Sequence, residues 1–170
     1  GIILASGKGT RIKHTNVPKQ FILIKGKPII YYTISSFLKS QLFDELIIVV
    51  LQEYIDQMEK ILQEYFSDSS NITLIVGGKE RMDSIDRGTD YIEKKYSNFE
   101  NITIVIHDAV RPFITYKILY DAIFMTKEYG ATVCGLAVND TMLIEENSYV
   151  ASIPNRSNIK SGQSPDSFNF

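Results

Sequence analysis

Tryptophan is absent from these 170 residues, cysteine occurs once, histidine twice and proline five times. The single cysteine, Cys134, rules out an internal disulfide, and within "TVCGLAV" it reads as a buried core thiol rather than a nucleophile. Neither sign of charge dominates: 18 Lys and Arg against 20 Asp and Glu leave a net charge of −2, so no broadly basic face offers itself to nucleic acid. Any phosphate bound here is bound by a few focused cations. No apolar run is long enough to span a bilayer, and no basic-then-apolar leader opens the chain. The expectation is a cytoplasmic protein without a membrane partner, in which the sequons at Asn71 and Asn101 are chance matches.

What is present is core material for one compact domain, with 44% hydrophobic residues. Short apolar runs rich in β-branched residues ("GIILA", "ELIIVVL", "ITLIV", "ITIVIHDA", "ATVCGLAV") read as strands buried on both faces. Between them lie helical stretches with apolar residues at threes and fours. "PIIYYTISSFLK" carries proline at the first helical position, and "YKILYDAIFMTKEYG" ends on a glycine suited to a C-cap. This alternation predicts an α/β fold, a Rossmann-like, mostly parallel sheet with helices on both faces. After Val138 the rhythm breaks, and residues 139–160 read as a β-hairpin arm turning at "EENS". The tail "SGQSPDSFNF" shows no obvious element, so we expect a single domain over 1–170 whose C-terminal part continues beyond it.

Three stretches carry chemistry. "ILASGKGTRIKHTNVPKQF" leaves a strand for a glycine turn, with Arg11 and Lys19 on the loop that follows. It fits neither the P-loop nor the dinucleotide fingerprint, which needs a third glycine where Ile12 stands. A glycine turn lets backbone N–H groups approach an anion closely, although the same loop reads as ordinary solvated charge. "VGGKERMDSI" places Gly77 and Gly78 after a strand, with Asp83 and Ser84 opening a helix; it suits a base edge, or a plain Ser or Asp N-cap. "IHDAVRPF" puts Asp108 at a strand end, where a carboxylate meets Mg²⁺ or a substrate hydroxyl, with Arg111 able to clamp a phosphate. The alternative is an internal Asp–Arg ion pair, and His107 is given no chemical role.

Together "LASGKGTR", "PKQF", "GGKERMDS", "HDAVRPF", "NDT" and "IPNR…GQSPDSF" run in order along nearly the whole chain, and the sequence resembles the cytidylyltransferases that activate small polyol phosphates. That family includes the 2-C-methyl-D-erythritol 4-phosphate and ribitol-5-phosphate enzymes, and "PFIT" and the eight-residue step from Arg11 to Lys19 look closer to the ribitol-phosphate branch. The resemblance implies a fold of the nucleotide-diphospho-sugar transferase type. It also implies that Leu4, Ala5, Ser6 and Gly7, with Gly77, Gly78, Arg81, Asp83 and Ser84, hold CTP. Arg11 and Lys19 would be the catalytic cations on the triphosphate, while Asp108 and Arg111 lie beside the polyol phosphate. Thr141 and Arg156 match arm residues that reach a partner's active site, implying a homodimer with exchanged arms. Mg²⁺ is the implied cofactor, with Asp108 a candidate ligand. This chain carries Ser164 and Asp166 where the family usually has threonine and glutamine, and the family supplies a further basic residue beyond this segment.

The expected reaction is attack of a polyol-phosphate oxygen on the α-phosphorus of CTP, with pyrophosphate leaving. It needs no general base, in keeping with a sequence that holds no convincing Ser-His-Asp or Cys-His arrangement. The competing readings are a sugar-1-phosphate nucleotidyltransferase using UTP or GTP, and a non-catalytic nucleotide-binding module.

Overall fold

A computed structural model describes residues 1–7, 17–68, 70–97 and 101–170. In chain order they form β1 (Ile2–Ala5), a small hairpin of β2 (Leu23–Ile24) and β3 (Lys27–Pro28), α1 (Ile29–Ser40), β4 (Leu46–Val50) and α2 (Ile55–Phe66). There follow β5 (Ile72–Val76), α3 (Arg81–Lys95), β6 (Thr103–Asp108), α4 (Tyr116–Tyr129) and β7 (Ala131–Ala137). A second hairpin of β8 (Ile144–Glu146) and β9 (Tyr149–Ser152) precedes the long strand β10 (Lys160–Asn169).

The central sheet has the order β5-β4-β1-β6-β10-β7. β5, β4, β1 and β6 pair in parallel, and β10 runs antiparallel to both β6 and β7. Alternation along each strand builds two cores. Ile3, Ala5, Leu46, Ile48, Val50 and Val105 point to the face covered by α1, α2 and α4. Ile2, Leu4, Ile47, Val49, Ile104 and Ile106 point to the face covered by α3, where Ile92 is buried. Each fully buried Val, Leu or Ile side chain among them contributes about 1.5–3 kcal/mol. The expected layers are therefore present, with three helices on one face and one on the other.

Four details differ from the sequence expectations. Pro28 is the N-cap of α1 rather than its first residue. α3 starts at Arg81, capped by Glu80, so Asp83 is its third residue and closes a capping box. The C-terminal stretch is no unstructured tail but β10, ten residues that separate β6 from β7. Cys134 is only half-buried, because β7 is an edge strand with a helix on one face only. Val133 on one face is 70% exposed and Leu136 on the other 61%. The burial that remains pushes the Cys134 thiol pKa up, with Asp166 and Asp121 adding to the effect.

The topology marks where a crevice opens at the edge of the sheet. From β1 the chain steps outward through β4 to β5, then returns through α3 to β6 on the other side of β1. The carboxyl ends of β1 and β6 therefore flank the switch point, where open α/β sheets leave a crevice. Ser6 and Gly7 follow β1 there, and Asp108 ends β6.

Candidate active site

The first turn is assembled from beneath. After β1, the buried Gln20 sends its side-chain amide to the carbonyls of Ala5 (2.8 Å) and Gly7 (3.3 Å). Gln20 lies in a single 3-10 turn, Lys19–Phe21, whose Phe21 is buried and packs its ring 5.5 Å from that of Tyr54. Lys19 is thus carried on a backbone anchored on both sides and tied to the glycine turn. Its side chain makes no hydrogen bond or ion pair among the described residues. Arg11 lies outside the described residues. Leu4 and Ala5 are buried strand residues whose carbonyls already accept from Ala109 N–H and Gln20, so side-chain contact with a ligand falls to Ser6 and its neighbours.

The second turn locks onto the first through Ser84, which is completely buried. Its hydroxyl lies 2.7 Å from the Ser6 hydroxyl and accepts from the Gly78 N–H at 3.1 Å. Asp83 accepts from the Glu80 N–H at 3.0 Å. The glycines are required by this closeness: a Cβ on Gly78 would stand 2.1 Å from that of Asp83, and one on Gly77 would stand 2.8 Å from the Ser84 Oγ.

The third turn closes the crevice on the other side. Asp108 is held between two guanidinium groups, Arg111 Nε at 3.0 Å and Arg81 Nε at 3.6 Å. Arg81 also reaches Asp166 on β10 at 3.3 Å, which answers what a charge does where the family usually carries glutamine. Between Gly162 and Asp166 the register of β10 shifts, so that Gln163, Ser164 and Pro165 oppose Cys134 alone. This bulge turns Gln163 onto Arg111 and Ser164 onto His107. His107 is buried and bonds to Ser164 Oγ (2.7 Å) and the Arg111 carbonyl (3.0 Å). Burial, the larger influence, pushes its pKa below the ordinary imidazole value, against the hydrogen bond to Arg111.

The three predicted motifs are therefore neighbours, linked by Ser6–Ser84, Arg81–Asp108 and the Ala109 N–H to Leu4 carbonyl bond of 3.0 Å. Beside them opens a cleft of about 690 Å³ lined by His107, Arg111, Phe113, Leu136, Gln163 and Ser164. Thr141 and Arg156 are elsewhere. Both are exposed, with Thr141 between β7 and β8 and Arg156 in the turn before β10, where its guanidinium donates to the Asn139 carbonyl at 3.1 Å. Sequence reasoning missed Gln20, Glu80 and Gln163. For Gln20 a signal existed: a polar residue between Lys19 and the apolar "FILI" has no reason to be there unless its amide is used.

An open sheet whose glycine turns, lysine-bearing turn and arginine–carboxylate cluster meet at the switch point has the layout in which α/β enzymes bind phosphorylated ligands. Comparison with known proteins narrows this. The model of the family IspD, 2-C-methyl-D-erythritol 4-phosphate cytidylyltransferase, matches residues 1–170, and the chain belongs to that family. It is 37% identical over 168 residues to the ribitol-5-phosphate cytidylyltransferase of Lactiplantibacillus plantarum, covering 99% of this chain and 72% of that protein. It is 41% identical over 170 residues to the 2-C-methyl-D-erythritol 4-phosphate cytidylyltransferase of Clostridium botulinum (strain Eklund 17B / Type B), with 99% and 72% covered. The crystal structure of 4-diphosphocytidyl-2C-methyl-D-erythritol synthase from Anaerococcus prevotii superposes with a TM-score of 0.81 at 25% identity, covering 99% of this chain and 69% of that one. Among the described residues no helix is long and apolar enough to cross a membrane.

Proposed function

We propose that this cytidylyltransferase joins CTP to ribitol 5-phosphate, giving a CDP-polyol and pyrophosphate. The observation that carries the reading is the convergence of the three loops at the β1–β6 switch point through Ser84 and Arg81. Ser6, Gly7 and the Gly77–Ser84 loop take the nucleotide. Lys19, with Arg11, takes the triphosphate, while Asp108 and Arg111 receive the polyol phosphate. A phosphate oxygen of the polyol phosphate forms the new bond to the α-phosphorus, and the bond from that phosphorus to the bridging oxygen breaks. The electron pair leaves with pyrophosphate. Because a phosphate dianion is already nucleophilic, the protein has to position two polyanions and neutralise them.

Mg²⁺ would supply part of that neutralisation on the triphosphate. The carboxylates at this edge, Asp108 and Asp166, are both paired with arginine, and the described residues hold no cluster of three ligating side chains. This donor set fits an ion that arrives chelated by the triphosphate, the usual manner of Mg²⁺ at nucleotide sites. The reaction belongs where CTP is made, in the cytoplasm.

The test offers the chain CTP and Mg²⁺ with ribitol 5-phosphate or 2-C-methyl-D-erythritol 4-phosphate and follows pyrophosphate release. We expect turnover with ribitol 5-phosphate. The 41% identity to a methylerythritol-phosphate enzyme favours that substrate as the second reading, which turnover with it alone would establish. A preference for UTP or GTP over CTP defeats the cytidine assignment, and CTP binding without any pyrophosphate leaves a binding module.

We also infer a homodimer that exchanges arms. Support comes from Met142, Leu143, Tyr149, Val150 and Ile153 on the arm, and from Phe113, 92% exposed beside the cleft. A single chain leaves all of these in water, together with Thr141 and Arg156. Co-expressing a Lys19→Ala chain with an Arg156→Ala chain should regenerate activity that neither variant has alone, because one site of the mixed dimer combines an intact body with an intact arm. Activity no higher than the sum of the variants would refute the exchange.

A further inference from the structure

Asp166 has no part in the reaction just described, yet it is the only carboxylate on β10 and it stands beside Asp108. In the register of β10 on β6 it lies opposite Ile106, whose side chain points to the face covered by α3. Cross-strand partners share a face, and so do residues two apart, so Asp166 and Asp108 both rise on the α3 side. Arg81, the first residue of that helix, reaches over both. Its Nε stands 3.6 Å from Asp108 Oδ1 and its Nη2 3.3 Å from Asp166 Oδ2. The guanidinium is therefore spread between two strands, at lengths above the roughly 2.7–2.9 Å of a tight charge-assisted bond. Arg111 is held differently, with Nε 3.0 Å from Asp108 Oδ2 and Nη1 on Gln163. The Arg81 side chain is 48% exposed, and an ion pair so placed is worth little and exchanges readily.

We propose that Asp166 is a positioning residue that sets the affinity for the acceptor: it holds Arg81 as an internal anion that the acceptor's phosphate must displace. The inference rests on Asp108 and Arg111 being the polyol-phosphate site. Four charges meet here, Asp108 and Asp166 against Arg81 and Arg111, and they balance. Without the Asp166 charge, one guanidinium is left over at the place where a phosphate arrives. With it, Arg81 is already engaged, and an incoming phosphate gains only the difference between its own attraction and that of Asp166. A phosphomonoester carries about −1.5 to −2 at neutral pH and wins that exchange. A carboxylate carries the single charge that Asp166 already offers and gains nothing by it. Asp166 thus lowers the affinity for the acceptor while reserving Arg81 for dianions. Binding is weaker and more discriminating.

The experiment compares the unmodified chain with Asp166→Asn, which keeps the shape and removes the charge, and Asp166→Glu, which keeps the charge. For Asp166→Asn we expect the KM for the polyol phosphate to fall about three- to fivefold, the scale of an exposed ion pair. The kcat and the KM for CTP should stay within about twofold, as for a change in ground-state binding of one substrate. Damage to the fold raises a KM, so a selective fall is not what a merely structural residue gives. Asp166→Glu should behave like the parent. In an Arg81→Gln background the Asp166→Asn change should lose its effect, because the contact through which it acts is gone. A second readout needs no turnover: in calorimetric titration, inorganic phosphate should bind Asp166→Asn about threefold more tightly than the parent. The inference is overturned by a polyol-phosphate KM that is unchanged or raised in Asp166→Asn, or by equal falls in both KM values. A fall shared by Asp166→Glu, or one that survives in the Arg81→Gln background, overturns it as well. Should the unmodified chain turn over neither polyol phosphate, the functional reading falls and the phosphate titration alone decides: an affinity no tighter in Asp166→Asn than in the parent sinks the proposal.

Discussion

Replacing Lys19 with alanine is expected to lower turnover about 10²–10³-fold while CTP affinity falls far less, the mark of a group that acts on charge developing in the transition state. The expectation follows from how the residue is mounted. Lys19 opens a 3-10 turn whose next two residues are buried, one bonded to the glycine turn and the other in the core. Arg81 and Arg111 already face carboxylates, whereas the Lys19 ammonium has no such partner among the described residues. On the proposed reading, a cation beside the triphosphate that is spent on nothing else would meet the charge that accumulates on departing pyrophosphate. Steady-state kinetics give the loss in kcat, and calorimetric titration with CTP gives the loss in affinity. If the two losses match, Lys19 serves only ground-state binding.

Gly78→Ala should be nearly as damaging, for a different reason. The added methyl group would sit 2.1 Å from the Asp83 Cβ, which neither residue can evade without moving the start of α3. Overpacking costs about 1–3 kcal/mol, and a broken cap adds about 0.5–2 kcal/mol. The shift would also pull Ser84 away from Ser6, so the nucleotide turns would separate. We expect thermal unfolding to move down by several degrees and the Kd for CTP to rise at least tenfold. Gly7→Ala is the comparison, since no described atom lies within 4 Å of its Cβ. It should keep the melting temperature. A Gly78→Ala chain that melts and binds CTP as the parent does would show that α3 accommodates the methyl group.

The fold was legible where burial is simple. β1, β4 and β6 are near-continuous apolar runs because each face of the sheet meets helices, and that pattern is visible without coordinates. β10 was not legible, since "KSGQSPDSFN" contains one large apolar residue and reads as loop. Its polar residues are there because Ser167 bonds to Thr126 and Thr132, and because Gln163 and Ser164 face the site. The same blindness hid the edge position of β7, as strand order decides exposure and no local pattern encodes strand order. At the site, the glycine turns and charged residues announced themselves. The buttresses beneath them did not, because Gln20 and Glu80, although they lie within "PKQF" and "GGKERMDS", act on backbone atoms that no sequence pattern displays.

The insertion of β10 between β6 and β7 has a further consequence, for the order in which the chain becomes a working molecule. Among the described residues β7 has no neighbour in the sheet except β10, so it waits unpaired while the arm is being made. The turn at Asp108 likewise waits for Ser164, some 56 positions later. A ribosome-bound chain therefore has the turns after β1 and β5 well before it has the bulge of β10 that meets the turn after β6, and the delayed long-range pairing leaves an apolar strand open to strangers in the meantime. Among the described residues, the contacts around the Asp108 turn are completed by residues 160–169.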